Sequence, residues 1–600
     1  MFLAKDRRRL GGFVIVLGCA AVAFAVSVAG SGAAADATVP TADTPINLTN
    51  EFAPNEAVNL DIPNSQSAAH VPSAHVPRPQ STQVVASNPG FGGFPGLTHF
   101  NQRTADGGNQ FNLEPPDQGL CVGAGRVIEP VNDVFAIYDA ATGAKLSPAT
   151  GATSLTVFFT GQHQINRTPP VRFGPFVSDP KCYFDPALNR FFMTVLEIDQ
   201  NPVTGAFGPR ASQFLAVSKT STPTTSSSDW FIYNFDTTND GTNGTPSHPG
   251  CPCFGDQPLI GADANAFVIT TNEFSLFPFG AVFNGAQLYV IDKAAAAAGT
   301  LTFQLIDGHP IPLAEGPAFS LQPATSPTAA GWSSANGGTE FLLSDLDFDA
   351  TLDNRLAVWA LTHTDAIAAH GVQLSHVVIG SQVYGQPPDA QQKPGPTPLA
   401  DITPNAFTGK PGSGPTEHLE LIAGNDDRMN QAVFADGKLW GGVNTVVKTE
   451  NGITRGGIAY FIVTPSFPDG GSLSATIAKQ GYISVNGENV LYPSIGVNSA
   501  GKGVVGFSLV GPDFFPSAAY APIDAVNGAG PVHVAAAGTG PDDGFSGYNF
   551  FTGGNTGRWG DYSAAVADAT GTIWIGHEFI PNTPRSLLAN WGTFVSHVTP

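Results

Sequence analysis

From about residue 115 onward, the chain alternates short apolar runs with tight turns bearing Asp, Asn or Gly. Runs of this length, bounded by turn residues and rich in Val, Ile, Phe and Thr, predict strands rather than helices. They come in pairs. A strand, a turn and a second strand recur as LCVGAGRVIEPVND from Leu120, CYFDPALNRFFMTVLE from Cys182, PLIGADANAFVITTNEF from Pro258 and LDFDATLDNRLAVWALT from Leu346. The pattern continues as NQAVFADGKLWGGVNTV from Asn430, YPSIGVNSAGKGVVGFS from Tyr492 and YSAAVADATGTIWIGHEF from Tyr562. The copies stand about 60 to 90 residues apart, and the intervals hold further strand-like runs at 134–138, 214–218 and 230–235. One helical turn is expected at 294–298.

A hairpin plus one or two outer strands per repeat is the content of a propeller blade. Hairpins cannot bury both faces alone, so neighbours must stack and close into a ring. The prediction is an all-β fold, a seven-bladed β-propeller over residues 96–600. The last repeat has only three strands of its own. A segment within 85–114, placed at 96–100, is therefore expected to supply the missing outer strand and close the ring. Composition agrees. Phe occurs 42 times and apolar residues make up 42% of the chain, too much for a disordered protein. With 69 Gly, 50 Pro and only 12% charged residues, long helices are excluded as well.

The first 35 residues read as a signal peptide: a basic stretch from Lys5 to Arg9, an apolar run over 10–30, and an A-x-A site at Ala33-Ala34-Ala35. The run is long enough to span a bilayer if uncleaved, and Cys19 within it faintly resembles a lipidation site. Cleavage is the expected outcome, leaving no membrane span and a secreted, extracellular monomer. Residues 36–95, rich in Ala, Pro, Ser and Thr, predict a flexible spacer, and 385–415 a long surface loop. The net charge of −22 excludes nucleic acid as a partner. Export makes disulfides the expected state of Cys121, Cys182, Cys251 and Cys253, with three possible pairings. His248 near Cys251-Pro252-Cys253 permits a metal reading, though structural zinc sites use C-x2–4-C spacing.

The stretch GRWGDYSAAVADATGTIWIGHEF and the pieces SDPK, FGDQP and LYPSIGVNSAGKGVVGFS resemble exported bacterial propellers of the sialidase-like type. The resemblance implies the fold. The sialidase catalytic pattern is not met: the S-x-D-x-G-x-x-W box is only approximated at 568–574, and no Phe-Arg-Ile-Pro motif occurs.

Two constellations carry candidate chemistry. Acids precede the first strand of most repeats: Asp117, Asp179, Asp256, Asp427 and Asp561, with Glu340 or Asp345 and Glu488 in the others. Equivalent positions in a propeller surround its axis, so Asp117, Asp179, Asp256 and Asp561 are candidate ligands for Ca²⁺, which takes about six to eight oxygens. The competing role is turn capping. The densest group lies in the last repeat, where Arg558, Trp559, Asp561, Tyr562, His577 and Glu578 cluster in sequence. Asp561, Tyr562, Arg558, Glu578, Asp427 and Glu488 are the candidate catalytic residues; Trp559, Arg428, Tyr492 and His577 are candidate substrate contacts. Asp345-Leu346-Asp347-Phe348-Asp349 starts like a calcium loop but lacks its Gly and Glu. Glu417-His418-Leu419-Glu420 offers one His and two acids. No organic cofactor motif, G-x-S-x-G elbow or H-E-x-x-H helix occurs. Two classes therefore remain: a glycan-directed propeller, hydrolase or lyase if catalytic, and a non-catalytic surface interaction module with structural calcium.

Overall fold

The computed structural model describes residues 75–600 apart from 112, 114, 309–311, 314–315, 347–351, 396–420, 543–555 and 583–590. The leader with Cys19, Asp347 and Asp349, most of the 385–415 loop, and Glu417 to Glu420 lie outside the described residues.

Strand β1 (Phe91–Thr98) precedes a series of antiparallel sheets. The first holds β2 (Cys121–Gly123), β3 (Arg126–Val131), β4 (Val134–Asp139) and β5 (Lys145–Ser147). The second holds β6 (Phe176–Asp185), β7 (Arg190–Gln200), β8 (Phe207–Ser218) and β9 (Trp230–Asp236). The third holds β10 (Cys253–Ala262), β11 (Ala266–Ser275), β12 (Phe283–Asp292) and β13 (Phe303–Ile306). Next come β14 (Gln322–Thr325), β15 (Thr339–Ser344), β16 (Leu352–Thr362) and β17 (Gln373–Gly385). They join β18 (Met429–Ala435), β19 (Lys438–Lys448), β20 (Thr454–Ser466) and β21 (Ser474–Ile483) through a short parallel pairing of β14 with β18. The chain ends with β22 (Asn489–Val497), β23 (Lys502–Val510), β24 (Ser517–Asp524) and β25 (Val532–Ala536), then β26 (Ala564–Ala567), β27 (Ile573–Phe579) and β28 (Gly592–Val598).

The opening strands of successive sheets touch in a closed cycle: β2 with β6, β6 with β10, then β14, β18, β22, β26 and back to β2. The protein is a β-propeller. Local sequence sets the hairpins. Ala124 and Gly125, and again Asp436 and Gly437, all have positive φ, which matches the twist that two-residue hairpin turns require. In the last sheet Asp568 collects the backbone N–H of Thr570 at 2.8 Å and the indole N–H of Trp574 at 2.9 Å, so the approximate box seen in sequence does form its turn. The core lies between sheets rather than at one centre. Phe135, Phe158 and Phe191 pack the first sheet on the second, and Phe192, Phe267 and Tyr289 the second on the third.

Closure follows the expected principle with a shifted position. Strand β1 pairs antiparallel with β28, from Phe91 opposite Val598 to Thr98 opposite Gly592, rather than over 96–100. It stops at Thr98 because that side chain caps the following helix (His99–Thr104) by accepting from the Asn101 N–H. The chain also joins the propeller earlier than its composition suggests. Within the stretch read as spacer, Val84 and Val85 pair in parallel with Val532 and His533, and the Thr82 N–H donates to Ser484 O at 2.6 Å.

One buried carboxylate secures the seam. Glu129 on β3 is fully enclosed; it accepts the Leu97 N–H from β1 at 3.0 Å, Gln118 Nε2 at 2.6 Å, the Tyr138 hydroxyl at 3.0 Å and the Thr593 hydroxyl of β28. A buried group with four donors is costly to remove because each donor loses its partner. Glu129→Ala is expected to lower stability by about 2–4 kcal/mol, and Tyr138→Phe by about 1 kcal/mol, in denaturant unfolding.

Candidate functional site

One residue within or a few positions before each opening strand is held in an unusual backbone conformation. Asp117, Asp179, Gln257, Ser320, Asn425 and Tyr492 all have φ between 43° and 59°, and Gly560 has 39°. Non-glycine residues seldom adopt this region, so the surrounding structure must hold them there. Asparagines supply part of that hold. Asn132 Oδ1 accepts the Asp179 N–H of the next sheet at 3.0 Å, Asn272 Oδ1 the Ser320 N–H at 2.8 Å, and Asn444 Oδ1 the Tyr492 N–H at 2.6 Å.

These entry points carry a hydrogen-bonded hoop of charged groups. Arg558 pairs with Asp561, whose N–H donates to Asp117 Oδ1 at 2.6 Å. Asn132 Nδ2 donates to Asp117 Oδ2 at 2.9 Å and so links it to Asp179. Asp179 Oδ2 accepts the Gln257 N–H at 3.1 Å, Gln257 Oε1 accepts from Arg428, and Arg428 pairs with Asp426 at 2.5 Å. Asn425 Nδ2 reaches Asp561 Oδ1 at 3.4 Å and brings the network round. Asp117, Asp179 and Asp561 thus come together in this network with two guanidinium groups, and Asp256 lies within reach of the charges of Asp179, Asp561, Arg428 and Arg558. Asp179, Asp256, Arg428, Arg558 and Asp561 keep partial exposure; Asp117 is buried.

Burial and crowding shift the titration of the hoop. Burial, then the charges of Asp561 and Asp179, push Asp117 well above the usual carboxylate range, and burial also raises Asp179. Asp256 is pushed up to about 7 by burial and by the Asp179 charge, against the opposing pull of Arg428. Lys181 stands over the ring of Tyr562. Burial brings its ammonium down to about 7, although Asp117, Asp179 and Asp561 favour its charge. Arg428 stays firmly charged because Asp426, Asp561 and Asp256 outweigh its burial. Near neutral pH, then, Asp256 and Lys181 can each hold or release a proton beside permanently charged arginines.

Most of the other sequence candidates are buried, outside the hydrogen-bonded hoop. Trp559 is enclosed in the core and donates its indole N–H to Ser508 at 2.9 Å, so its face is not open for stacking on a ligand. His577 is likewise enclosed, with Nε2 2.9 Å from Ser494 Oγ; burial lowers its pKa to about 3. Tyr562 is buried and donates to Pro180 O at 3.2 Å; Tyr492 is buried and donates to Ala423 O at 2.5 Å. Asp427 and Glu578 are buried too. Glu488 is separate from the hoop: it accepts the Asp513 N–H at 3.4 Å and has Asp513, Arg455 and Lys393 as charged neighbours. The cysteines pair as Cys121–Cys182, tying β2 to β6, and Cys251–Cys253.

Sequence reading missed Lys181, Gln257, Asn425 and the three bridging asparagines. A signal was present: Asp179, Gln257 and Tyr492 each precede a proline, and Asn132, Asn272 and Asn444 each close the second apolar run of a repeat.

No known protein-family pattern and no curated protein matches the chain. Solved structures do resemble it at the level of fold. A Trypanosoma rangeli sialidase is 8% identical over 85% of this chain and 60% of its own, with a TM-score of 0.32. An exo-β-1,3-galactanase from Clostridium thermocellum is 10% identical over 73% of this chain and 83% of its own, at 0.25. The N-terminal domain of Nup159 is 10% identical over 87% of this chain and all 100% of its own, at 0.31.

The buried acids make stability depend on pH. Burial raises Asp117, Glu129, Asp133, Asp179, Asp263, Glu340 and Asp345, takes Asp256 to about 7 and, with the Asp199 charge, Glu197 to about 8. An unfolded chain releases these protons at about pH 4, so the folded protein binds more protons between there and pH 7–8. Their contribution is complete below the unfolded values and is lost as pH rises through the folded ones. His376, His577 and His597, all lowered, act in the opposite sense, as does Lys181 above about pH 7, but the raised acids outnumber them. Calorimetry at constant ionic strength is expected to give a higher Tm at pH 5 than at pH 8.

Proposed function

We propose that the protein is an exported, glycan-directed β-propeller whose ligand end is the axial hoop. The observation that supports this best is the convergence of Asp179, Asp256, Asp561, Arg428 and Arg558, partly exposed and from four sheets, at one end of the axis. Hydroxyl-rich ligands need closely spaced acceptors and donors, and the hoop offers carboxylates beside guanidinium groups. An excess of acids over cations there favours neutral sugars over polyanions. If the protein turns a glycan over, Asp256 is the group suited to protonating a leaving oxygen, because it holds a proton near neutral pH beside Asp179.

A second reading, the non-catalytic interaction module with structural calcium, has its own support. Asp117 and Asp179 accept backbone amides, and Arg428 and Arg558 are paired inside the hoop. A calcium ion would have to compete with those guanidinium groups for the same oxygens. Among the described residues, three ligand atoms within 4.8 Å of one another occur at Cys251, Cys253 and Glu273, none of them one of the four axial acids.

Incubation with neutral and acidic polysaccharides, following new reducing ends and unsaturated-uronate absorbance, separates the readings. Release of product that falls at least about a hundredfold in Asp256→Asn supports the enzyme. Binding without product, weakened by Arg428→Ala, supports a glycan-binding propeller. Silence in both assays, with calcium raising Tm, overturns the glycan reading in favour of the calcium module.

A further inference from the structure

Cys251 and Cys253 are joined across a single residue, Pro252. A cross-link stabilises chiefly by restricting the unfolded chain, and its effect grows with the loop it closes. A bridge across one residue restricts almost nothing, whereas Cys121–Cys182 spans a separation of 61. The short bridge is therefore poorly explained as a staple, and its surroundings are not those of an inert one.

Polar groups from three segments crowd the two sulfurs. Glu273 on β11 is completely buried, and its Oε1 lies 3.6 Å from Cys251 Sγ. His248 places Nδ1 2.8 Å from that same oxygen and Nε2 3.1 Å from Asp307. Asn284 on β12 brings Nδ2 to 2.8 Å from Glu273 Oε1, 3.6 Å from Cys251 Sγ and 3.5 Å from Cys253 Sγ. The two sulfurs and a Glu273 oxygen all lie within 4.8 Å of one another. A disulfide is neutral and gains little from a buried carboxylate. Two thiolates and a carboxylate converging on one point are what a zinc-class cation binds.

We propose that Cys251, Cys253 and Glu273 form a redox-gated site for a thiophilic divalent cation. In the oxidised protein the sulfur–sulfur bond closes the site. An external dithiol opens it by exchange: its two thiols become a disulfide, and their two electrons and two protons pass to Cys251 and Cys253. Metal binding then displaces both thiol protons and forms two metal–sulfur bonds, with Glu273 Oε1 as the third ligand. Two thiolates on a tetrahedral ion, at bonds of about 2.3 Å, stand about 3.8 Å apart, so once the disulfide is reduced the two sulfurs must swing apart to seat the ion. Cys251 keeps partial exposure and offers the point of attack for the reductant. His248, bonded to the ligating oxygen, orients the carboxylate. The third ligand comes from a neighbouring strand, so the usual C-x2–4-C spacing is not required.

Cobalt is the probe. The full chain is reduced anaerobically with a phosphine, freed of reductant and titrated with Co²⁺. Thiolate-to-cobalt absorption in the near ultraviolet and tetrahedral bands in the visible are expected at one ion per chain, and are expected to be absent from the oxidised protein. The Cys251→Ser/Cys253→Ser variant, which retains Cys19, Cys121 and Cys182, is expected to lose the signal. Glu273→Gln keeps both thiolates and is expected to weaken cobalt binding at least about tenfold. Near-ultraviolet circular dichroism confirms that each protein is folded. Equal binding by the oxidised protein, survival of the signal in the double variant, or a folded reduced chain that takes up no cobalt would each overturn the site. Unchanged affinity in Glu273→Gln would remove the carboxylate from it.

Discussion

The structure depends on joining its two ends. Each sheet leaves apolar faces that only its neighbours can cover, so a gap anywhere in the cycle would expose two of them. The seam between β1 and β28 is where the gap would open, and Glu129 is buried there with donors from β1, β28 and its own sheet. An apolar residue in that place would leave the Leu97 N–H, Gln118 Nε2 and the Tyr138 hydroxyl without that partner, while the Thr593 hydroxyl keeps Leu97 O. The carboxylate is thus tolerated in the core because the closure around it supplies what water would have supplied.

The same logic governs the axis. Strained entry residues bring acids close enough to repel one another, and the hoop holds because asparagines, backbone amides and arginines answer each carboxylate. The shifted titration of Asp256 and Lys181 arises chiefly from burial, which the Asp179 charge reinforces at Asp256 and the neighbouring acids oppose at Lys181. A ligand at this end would meet groups that also hold the sheets in register. On the proposed reading, site and scaffold share their residues.

Much of this was legible in the sequence and some was not. Repeated strand–turn–strand pieces fixed the propeller, because hairpin turns such as Asp436-Gly437 are encoded locally. The incomplete last repeat pointed to a closing N-terminal strand, although its bounds moved to Phe91–Thr98, where the Thr98 cap ends it. Asp117, Asp179, Asp256 and Asp561 converged because equivalent repeat positions must surround an axis. Trp559 and His577 misled because nearness in the repeat to an axial acid does not place a side chain at the axis: Trp559, in the segment before β26, is enclosed against Ser508, and His577 on β27 is enclosed against Ser494. Lys181 was invisible because its importance comes from neighbours far away in the chain.

The closing pair also has a consequence in time. Thr593 and Leu97, which share a hydrogen bond across the seam, are 496 residues apart in the chain. Nothing can occupy the place beside β1 until the final strand has been made. A chain emerging with its beginning first must hold an unpartnered edge through the synthesis of every sheet, and such edges invite pairing with other chains. Pro95 within β1 and the glycines at positions 92, 93 and 96 make that waiting edge a poor template for strangers, while leaving it acceptable to β28.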